Sequence, residues 1–83
     1  MIMVQLYIPE VGQELDFRVD ENEKIARIKE DIGRILKRKY GDSQSAASLG
    51  YYGLFSADQQ REMEDENTLN KYGIRDGARL IFV

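Results

Sequence analysis

The sequence predicts an α+β domain in which one helix packs across a single mixed β-sheet. The first observation is a stripe of aliphatic residues at helical spacing within residues 22–40. A helix that is apolar on one side does not stay folded alone, so another layer must cover it. The second observation is a set of short alternating runs before and after the helix, which is typical of half-buried strands. The covering layer is therefore expected to be a sheet.

The first two strands are expected to form an antiparallel hairpin. Apolar and polar residues alternate over residues 2–8 and again over residues 15–19. The residues between these runs include Pro9 and Gly12, which favour a turn. Two alternating runs joined by a short glycine-containing loop indicate a hairpin.

The helix is expected to span residues 22–40 and to bury one face. Asp20 or Asn22 is the expected N-cap, because either side chain can accept hydrogen bonds from the first free amides. Gly41 is the expected end of the helix. The five aliphatic residues that are expected to face the sheet are Ile25, Ile28, Ile32, Ile35 and Leu36.

The second half of the chain is expected to supply the remaining strands. Residues 49–55 are predicted to form a strand weakened by two glycines, and residues 61–63 a very short strand. Residues 56–60 between them are predicted to be a loop. Thr68 is expected to cap a helical turn that runs to Lys71.

Residues 79–83 are predicted to form the closing strand. Leu80 and Phe82 are expected to face the helix, and Ile81 and Val83 the opposite side of the sheet. Long connections precede this strand, so it can lie parallel to the first one.

Length and composition narrow the classes of function. The 83 residues are expected to form one domain, residues 1–83. The sequence contains no cysteine and no histidine, which removes thiolate chemistry, the commonest general base and the commonest metal ligand. With a net charge of −3, nothing indicates a nucleic-acid partner. No apolar run approaches the ~20 residues that cross a bilayer, so we expect a cytoplasmic protein without membrane insertion.

Three groups of polar residues suggest chemistry, and each has a simpler interpretation. The acidic run lacks the spacing and the glycine of a calcium loop, so exposed loop acids explain it better. The serines have no histidine to activate them, and the basic residues at the helix end suit its dipole. We therefore expect a non-enzyme with no catalytic, cofactor or metal site. The residues concerned are Glu62, Glu64, Asp65 and Glu66; Ser43, Ser45 and Ser48; and Arg34, Lys37, Arg38 and Lys39.

Two segments carry a resemblance to a known family. Residues 17–32 join a strand to a helix with isoleucines at core spacing, and residues 63–74 contain an acidic pair, a threonine-leucine pair, a tyrosine and an isoleucine. This pattern resembles ubiquitin and the β-grasp superfamily over essentially the whole chain. The resemblance implies a ubiquitin-like β-grasp fold, with one helix packed across a mixed sheet of four to five strands. It also implies that Met63, Leu69 and Ile74 are buried. Tyr72 is implied to pack against a neighbouring loop.

The last third of the chain is similar to a narrower group. The matching residues are Leu69, Gly73, Ile74, Gly77, Arg79 and Leu80. They resemble the ending of the YukD-like small ubiquitin-like proteins of bacterial type VII secretion systems. This resemblance implies a cytoplasmic adaptor for protein–protein interaction, which contacts membrane or ATPase components of the secretion machinery.

Two alternatives stay open. A ubiquitin-like modifier is joined to its targets through a C-terminal pair of glycines, whereas this sequence ends at Val83 without one. The other alternative is a β-grasp regulatory domain from a larger protein.

The predicted partner-binding surface is the side of the sheet that points away from the helix. Ile81 and Val83 are expected there, joined by Tyr51 or Tyr52 according to the register of the middle strand. Tyrosine is enriched among interface anchors, and an exposed apolar patch often marks an interface. The alternative interpretation is that these residues are only good strand formers.

Overall fold

Five strands and one helix make up the described part of the chain. The computed structural model describes residues 1–40 and 53–83. The elements are β1 (Ile2–Ile8), β2 (Gln13–Val19), α1 (Ile25–Tyr40), β3 (Leu54–Ser56), β4 (Arg61–Glu62) and β5 (Arg79–Phe82). The strands are hydrogen-bonded in the order β2-β1-β5-β3-β4. This mixed sheet with its helix confirms the predicted β-grasp architecture.

The strand pairing follows the sequence prediction at both ends of the chain. β1 pairs antiparallel with β2, so that Ile2 lies opposite Val19. β1 pairs parallel with β5, so that Leu6 lies opposite Leu80. Gly12 supplies a φ of 64° in the hairpin turn, a conformation that glycine adopts without a steric penalty. The hairpin and the parallel closing strand are therefore confirmed.

One apolar cluster joins the helix to the sheet. Alternate residues of β1 and β5 are buried, and residues three or four apart on α1 pack with them. The segment between β4 and β5 contributes Met63, Leu69 and Ile74, as the resemblance implies. The buried apolar residues are Val4, Leu6, Ile8, Val19, Ile25, Ile28, Ile32, Leu36, Leu54, Met63, Leu69, Ile74, Leu80 and Phe82.

Ile35 is the exception among the five aliphatic residues predicted to face the sheet. The other four are at most 3% exposed, whereas Ile35 is 40% exposed. One residue corresponds to about 100° of rotation on an α-helix, so Ile35 is turned away from its buried neighbour Leu36. It lines a groove beside β2, together with Phe17 and Arg38. The prediction was wrong for this residue because the apolar stripe is wider than the part that the core covers.

The helix begins at Ile25, later than predicted. The residues just before it form a turn around Asp20. The Asn22 N–H donates to Asp20 Oδ1 (2.9 Å), and the Glu23 N–H donates to the Asp20 carbonyl (3.1 Å). Asp20 therefore stabilises the turn that leads into the helix.

The first amides of α1 are satisfied by a distant loop. The Ile25 N–H donates to the Asn67 carbonyl (2.8 Å), and the Ala26 N–H donates to the Asp65 carbonyl (3.1 Å). Backbone carbonyls thus accept the hydrogen bonds that were predicted for a side chain of residue 20 or 22. The N-cap prediction was wrong, and the tertiary fold supplies the cap instead.

The position of β3 differs from the predicted strand. It begins at Leu54 and includes Ser56, which was predicted to lie in a loop. Gly53 extends the pairing, because its N–H donates to the Val83 carbonyl (2.6 Å) and its carbonyl accepts from the Val83 N–H (3.0 Å). The other predicted strand residues, 49–52, lie outside the described residues.

Tyr72 connects the turn after Thr68 to the loop after β4. Its hydroxyl accepts hydrogen bonds from the Glu64 N–H (2.8 Å) and from Asn67 Nδ2 (3.0 Å). Thr68 Oγ1 accepts from the Lys71 N–H (3.1 Å). The predicted cap at Thr68 and the implied loop contact of Tyr72 are both confirmed.

Candidate protein-interaction surface

The outer face of the sheet is the side that points away from α1. Side chains alternate along each strand, so the outer face is formed by the residues between the buried ones. Cross-strand register places these residues in rows across the sheet. Its members are Met3, Gln5, Tyr7, Glu14, Asp16, Arg18, Phe55, Glu62, Arg79 and Ile81.

Three residues from neighbouring strands form an apolar row on the outer face. Ile81 on β5 lies opposite Tyr7 on β1 and opposite Phe55 on β3. Tyr7 is 41% exposed, while Ile81 and Phe55 are half-buried. Val83 follows on the same side of β5 and is 53% exposed. The apolar row of Tyr7, Ile81 and Phe55, with Val83 beside it, is the candidate surface.

The sequence prediction located half of this surface. Ile81 and Val83 lie on the side of the sheet predicted for them, and their partner-binding role stays a prediction. Tyr51 and Tyr52 lie outside the described residues. Sequence reasoning missed Phe55, because the register of β3 was blurred, and it placed residue 7 on the correct strand face without joining it to the site.

Acidic side chains lie at both ends of the apolar row. Glu14 is opposite Tyr7, and Glu62 is opposite Phe55. The Glu62 carboxylate and the Phe55 ring both lie over Gly53, since a Cβ at position 53 would be 2.7 Å from Glu62 Oε2 and 3.0 Å from the ring. The candidate surface is therefore an apolar strip with a carboxylate at each end.

The neighbouring row on the outer face is polar. Gln5 lies between Asp16 on β2 and Arg79 on β5. The Arg79 guanidinium pairs with Asp58 Oδ1 at 3.3 Å. A shallow depression runs from this row to Tyr7. A row of charged and amide groups beside an apolar strip is the arrangement of a polar rim beside an apolar centre.

Two residues of the acidic run form ion pairs, one with Lys29 of α1 and one with Lys24 just before this helix. Lys29 Nζ lies 2.8 Å from Asp65 Oδ1, and Lys24 Nζ lies 3.3 Å from Glu66 Oε2. Within residues 1–40 and 53–83, no group of three acidic, histidine or cysteine side chains is arranged to hold a metal ion. These ion pairs support the interpretation of the run as surface charge. The loop serines of the sequence analysis lie outside the described residues.

No helix in the described part of the chain combines the length and the apolar character that a membrane span requires.

Comparison with known proteins finds similar solved structures but no similar curated sequences or family profiles. No known protein family profile matches the chain, and no curated protein sequence matches it. Among solved structures, it is similar to the N-terminal ubiquitin-like domain of the 4931431F19Rik protein, with 23% identity and a TM-score of 0.74 over 99% of this chain and 72% of that one. It is also similar to the ubiquitin-like domain of the Arabidopsis thaliana protein At2g32350, with 20% identity and a TM-score of 0.70 over 99% of this chain and 74% of that one.

These likenesses establish the fold. The order of the strands, the helix across one face and the two structural matches define a ubiquitin-like β-grasp fold. A shared fold does not carry a function with it, so function has to be argued from the surface.

Proposed function

We propose that the chain is a non-catalytic, ubiquitin-like module that binds another protein through the apolar row of its outer face. The observation that carries the proposal is the alignment of Tyr7, Ile81 and Phe55 across three adjacent strands. Aromatic and aliphatic side chains that lie together on a rigid sheet make a contiguous contact area, and they lose little conformational entropy when a partner binds.

The charges around the row indicate the chemistry of the partner. Glu14 and Glu62 lie at its two ends, and Arg79 is already paired with Asp58. A complementary surface would offer apolar side chains at its centre and lysine or arginine at its flanks. Binding should therefore weaken as salt is added, because the flanking contacts are exposed.

We place this module in the cytoplasm as an accessory of a bacterial type VII secretion system. The support is the resemblance of residues 69–80 to the corresponding segment of the YukD-like proteins. Gly73 and Gly77 are the two glycines of that shared pattern. Both glycines have positive φ here, 72° and 87°, so their turns favour this residue type. On this proposal the partners are membrane or ATPase components of the secretion complex. Genes for a membrane-bound secretion ATPase beside the gene of this chain would support it.

Replacement of Ile81 by Asp tests the candidate surface. The new carboxylate would lie between Tyr7 and Phe55, so binding to the cytoplasmic domain of the secretion ATPase should weaken by at least about 30-fold, the effect of losing an interface anchor. Val83→Asp should act in the same direction. Isothermal titration of the purified chain with that domain gives the affinity.

The control variant is Lys71→Asp, which adds a carboxylate in an exposed turn outside the outer face. It should bind like the wild type, and circular dichroism should show all three variants folded. Equal binding by wild type, Ile81→Asp and Val83→Asp would refute the surface. Binding to a different protein with the same loss on Ile81→Asp would keep the surface and refute the secretion context.

A further inference from the structure

Among the residues that the structure describes, β2 is an edge strand of the sheet with no strand on its outer side. In the order β2-β1-β5-β3-β4 it is the first strand, and β4 is the last. β4 has only two residues, whereas β2 has seven, Gln13–Val19. A long edge strand presents unpaired N–H and C=O groups to any chain that can lie beside it. The side chains of β2 determine which strand can pair with it.

Hydrogen bonds of β1 show in which direction its backbone groups point. The Gln5 N–H donates to the Ala78 carbonyl (2.8 Å), and the Met3 carbonyl accepts from the Gly77 N–H (2.7 Å). Met3 and Gln5 therefore direct their backbone groups away from β2. Because this direction alternates along a strand, Val4 directs its groups toward β2.

The same alternation identifies the edge-facing residues of β2. Val4 lies opposite Phe17, so Phe17 bonds inward to β1. Its neighbours Asp16 and Arg18 consequently direct their N–H and C=O groups to the open edge. Their side chains are exposed and opposite in charge, and neither forms an ion pair within the described residues.

We propose that two copies of this chain pair antiparallel through β2, around a two-fold axis at Phe17. Asp16 of each copy then lies opposite Arg18 of the other, in two hydrogen-bonded pairs that use the free edge groups of both chains. Leu15 lies opposite Val19 of the second copy. The two sheets would join into one, with both helices on the same side. This surface is separate from the apolar row and does not depend on the proposed function.

Charge complementarity selects a second copy as the occupant and also selects the register. An axis at Asp16 instead would set the two Asp16 carboxylates against each other, and like charges directly opposite are destabilising. With the axis at Phe17, the cross-strand pairs from 15 to 19 contain only opposite charges or apolar residues. In this register Glu14 would face Asp20, but Asp20 lies outside β2, which ends at Val19, so this like-charged pair falls beyond the strand pairing.

The apolar side of the edge fits the same arrangement. Phe17 is half-buried and, with the exposed Ile35, lines the groove between β2 and α1. The two-fold axis brings the Phe17 rings of the two copies together on the helix side of the joined sheet. Charged residues on an edge strand commonly prevent pairing, but here their order makes pairing with an identical strand attractive.

Analytical ultracentrifugation of the full chain tests the proposal by charge exchange. The wild type should form a concentration-dependent dimer. Asp16→Arg sets arginine against Arg18 of the other copy, and Arg18→Asp sets two aspartates opposite each other, so each variant alone should dimerise at least tenfold more weakly. The double variant Asp16→Arg/Arg18→Asp restores opposite charges and should dimerise like the wild type.

Mixing supplies an independent arm of the test. An equimolar mixture of the Asp16→Arg and Arg18→Asp chains places opposite charges across the axis, so it should form a heterodimer more tightly than either chain dimerises alone. Glu10→Arg, in an exposed turn outside the paired segment, is the control and should dimerise normally. Ile81→Asp should also dimerise normally, which separates this surface from the apolar row.

Three results would overturn the proposal. The first is a wild type that stays monomeric up to about 1 mM, a concentration at which even weak self-association is measurable. The second is a dimer that survives both single substitutions, since its interface would then lie elsewhere. The third is failure of the double variant to dimerise, which would reject the register with its axis at Phe17.

Discussion

The two faces of the sheet are built from alternate residues of the same strands, yet they differ in what they contact. Leu80 on β5 is 1% exposed within the core, and the next residue, Ile81, is half-buried on the outer face. Both are aliphatic, so composition alone would not separate them. The difference teaches that strand alternation divides the residues of one strand between folding and surface contact.

The largest expected effect tests this division directly. Leu80→Ala removes a buried side chain and should lower the free energy of unfolding by about 2–5 kcal/mol, because it leaves a cavity between α1 and the sheet. Ile81→Ala on the same strand should cost roughly 1 kcal/mol or less, since the side chain is partly solvated already. Urea denaturation of both variants gives the two values. Equal losses would mean that the apolar row is structural and would remove the basis of the proposed interaction surface.

A smaller effect is expected at Ser56, the one buried polar residue among those that the structure describes. Ser56 is 1% exposed, and its Oγ accepts a hydrogen bond from the Gln59 N–H at 3.1 Å, holding the turn between β3 and β4. Ser56→Ala should lower the free energy of unfolding by about 1 kcal/mol, the usual net value of such a bond. Thermal unfolding of the variant measures the loss. A variant as stable as the wild type would show that burial of the hydroxyl costs as much as its hydrogen bond contributes.

The smallest effect is expected at Glu21, which belongs to neither face. Its carboxyl accepts a hydrogen bond from its own backbone N–H, and the Met1 ammonium lies 3.0 Å from Oε1. The backbone hydrogen bond, and after it the ammonium, lower the pKa of this carboxyl below its ordinary value of 4.5. A carboxyl whose pKa is lowered by folding stabilises the fold above its unfolded pKa, and this contribution disappears as pH falls through the folded pKa. Glu21→Gln should thus be less stable than the wild type near neutral pH, and the gap should close in acid.

A pH series of urea midpoints checks this expectation. Glu10→Gln, in an exposed turn, is the matched control and should follow the wild type at every pH. A gap between Glu21→Gln and wild type that stays constant from neutral pH to strong acid would contradict the assignment, because it would not depend on ionisation.

Much of the fold was predictable from the sequence, because its signals are local. The alternation of β1 and β2 and the turn at Gly12 predict the hairpin without further information. The same alternation in β5 predicts that Leu80 is buried and Ile81 is not. In each case one residue's side is fixed by its neighbours along the chain.

The errors occur where a residue depends on a distant segment. The cap of α1 comes from the carbonyls of Asp65 and Asn67, and a carbonyl is present in every residue, so it leaves no signature in the sequence. Ile35 has the spacing of a core residue, but the core does not extend over it. The candidate surface shows the same limit. Tyr7 and Phe55 belong to one row only because β5, which carries Ile81, lies between their strands.

The amino-acid sequence by itself determined the hairpin, the closing strand, four of the five core positions on α1 and the β-grasp order of elements. The tertiary structure alone decided the start of the helix, the exposure of Ile35, the place of Ser56 in a strand and the row formed by Tyr7, Ile81 and Phe55. The physical reason is that side-chain direction repeats with the local backbone period, whereas register and end-capping depend on which segments, far apart in the chain, come to lie side by side.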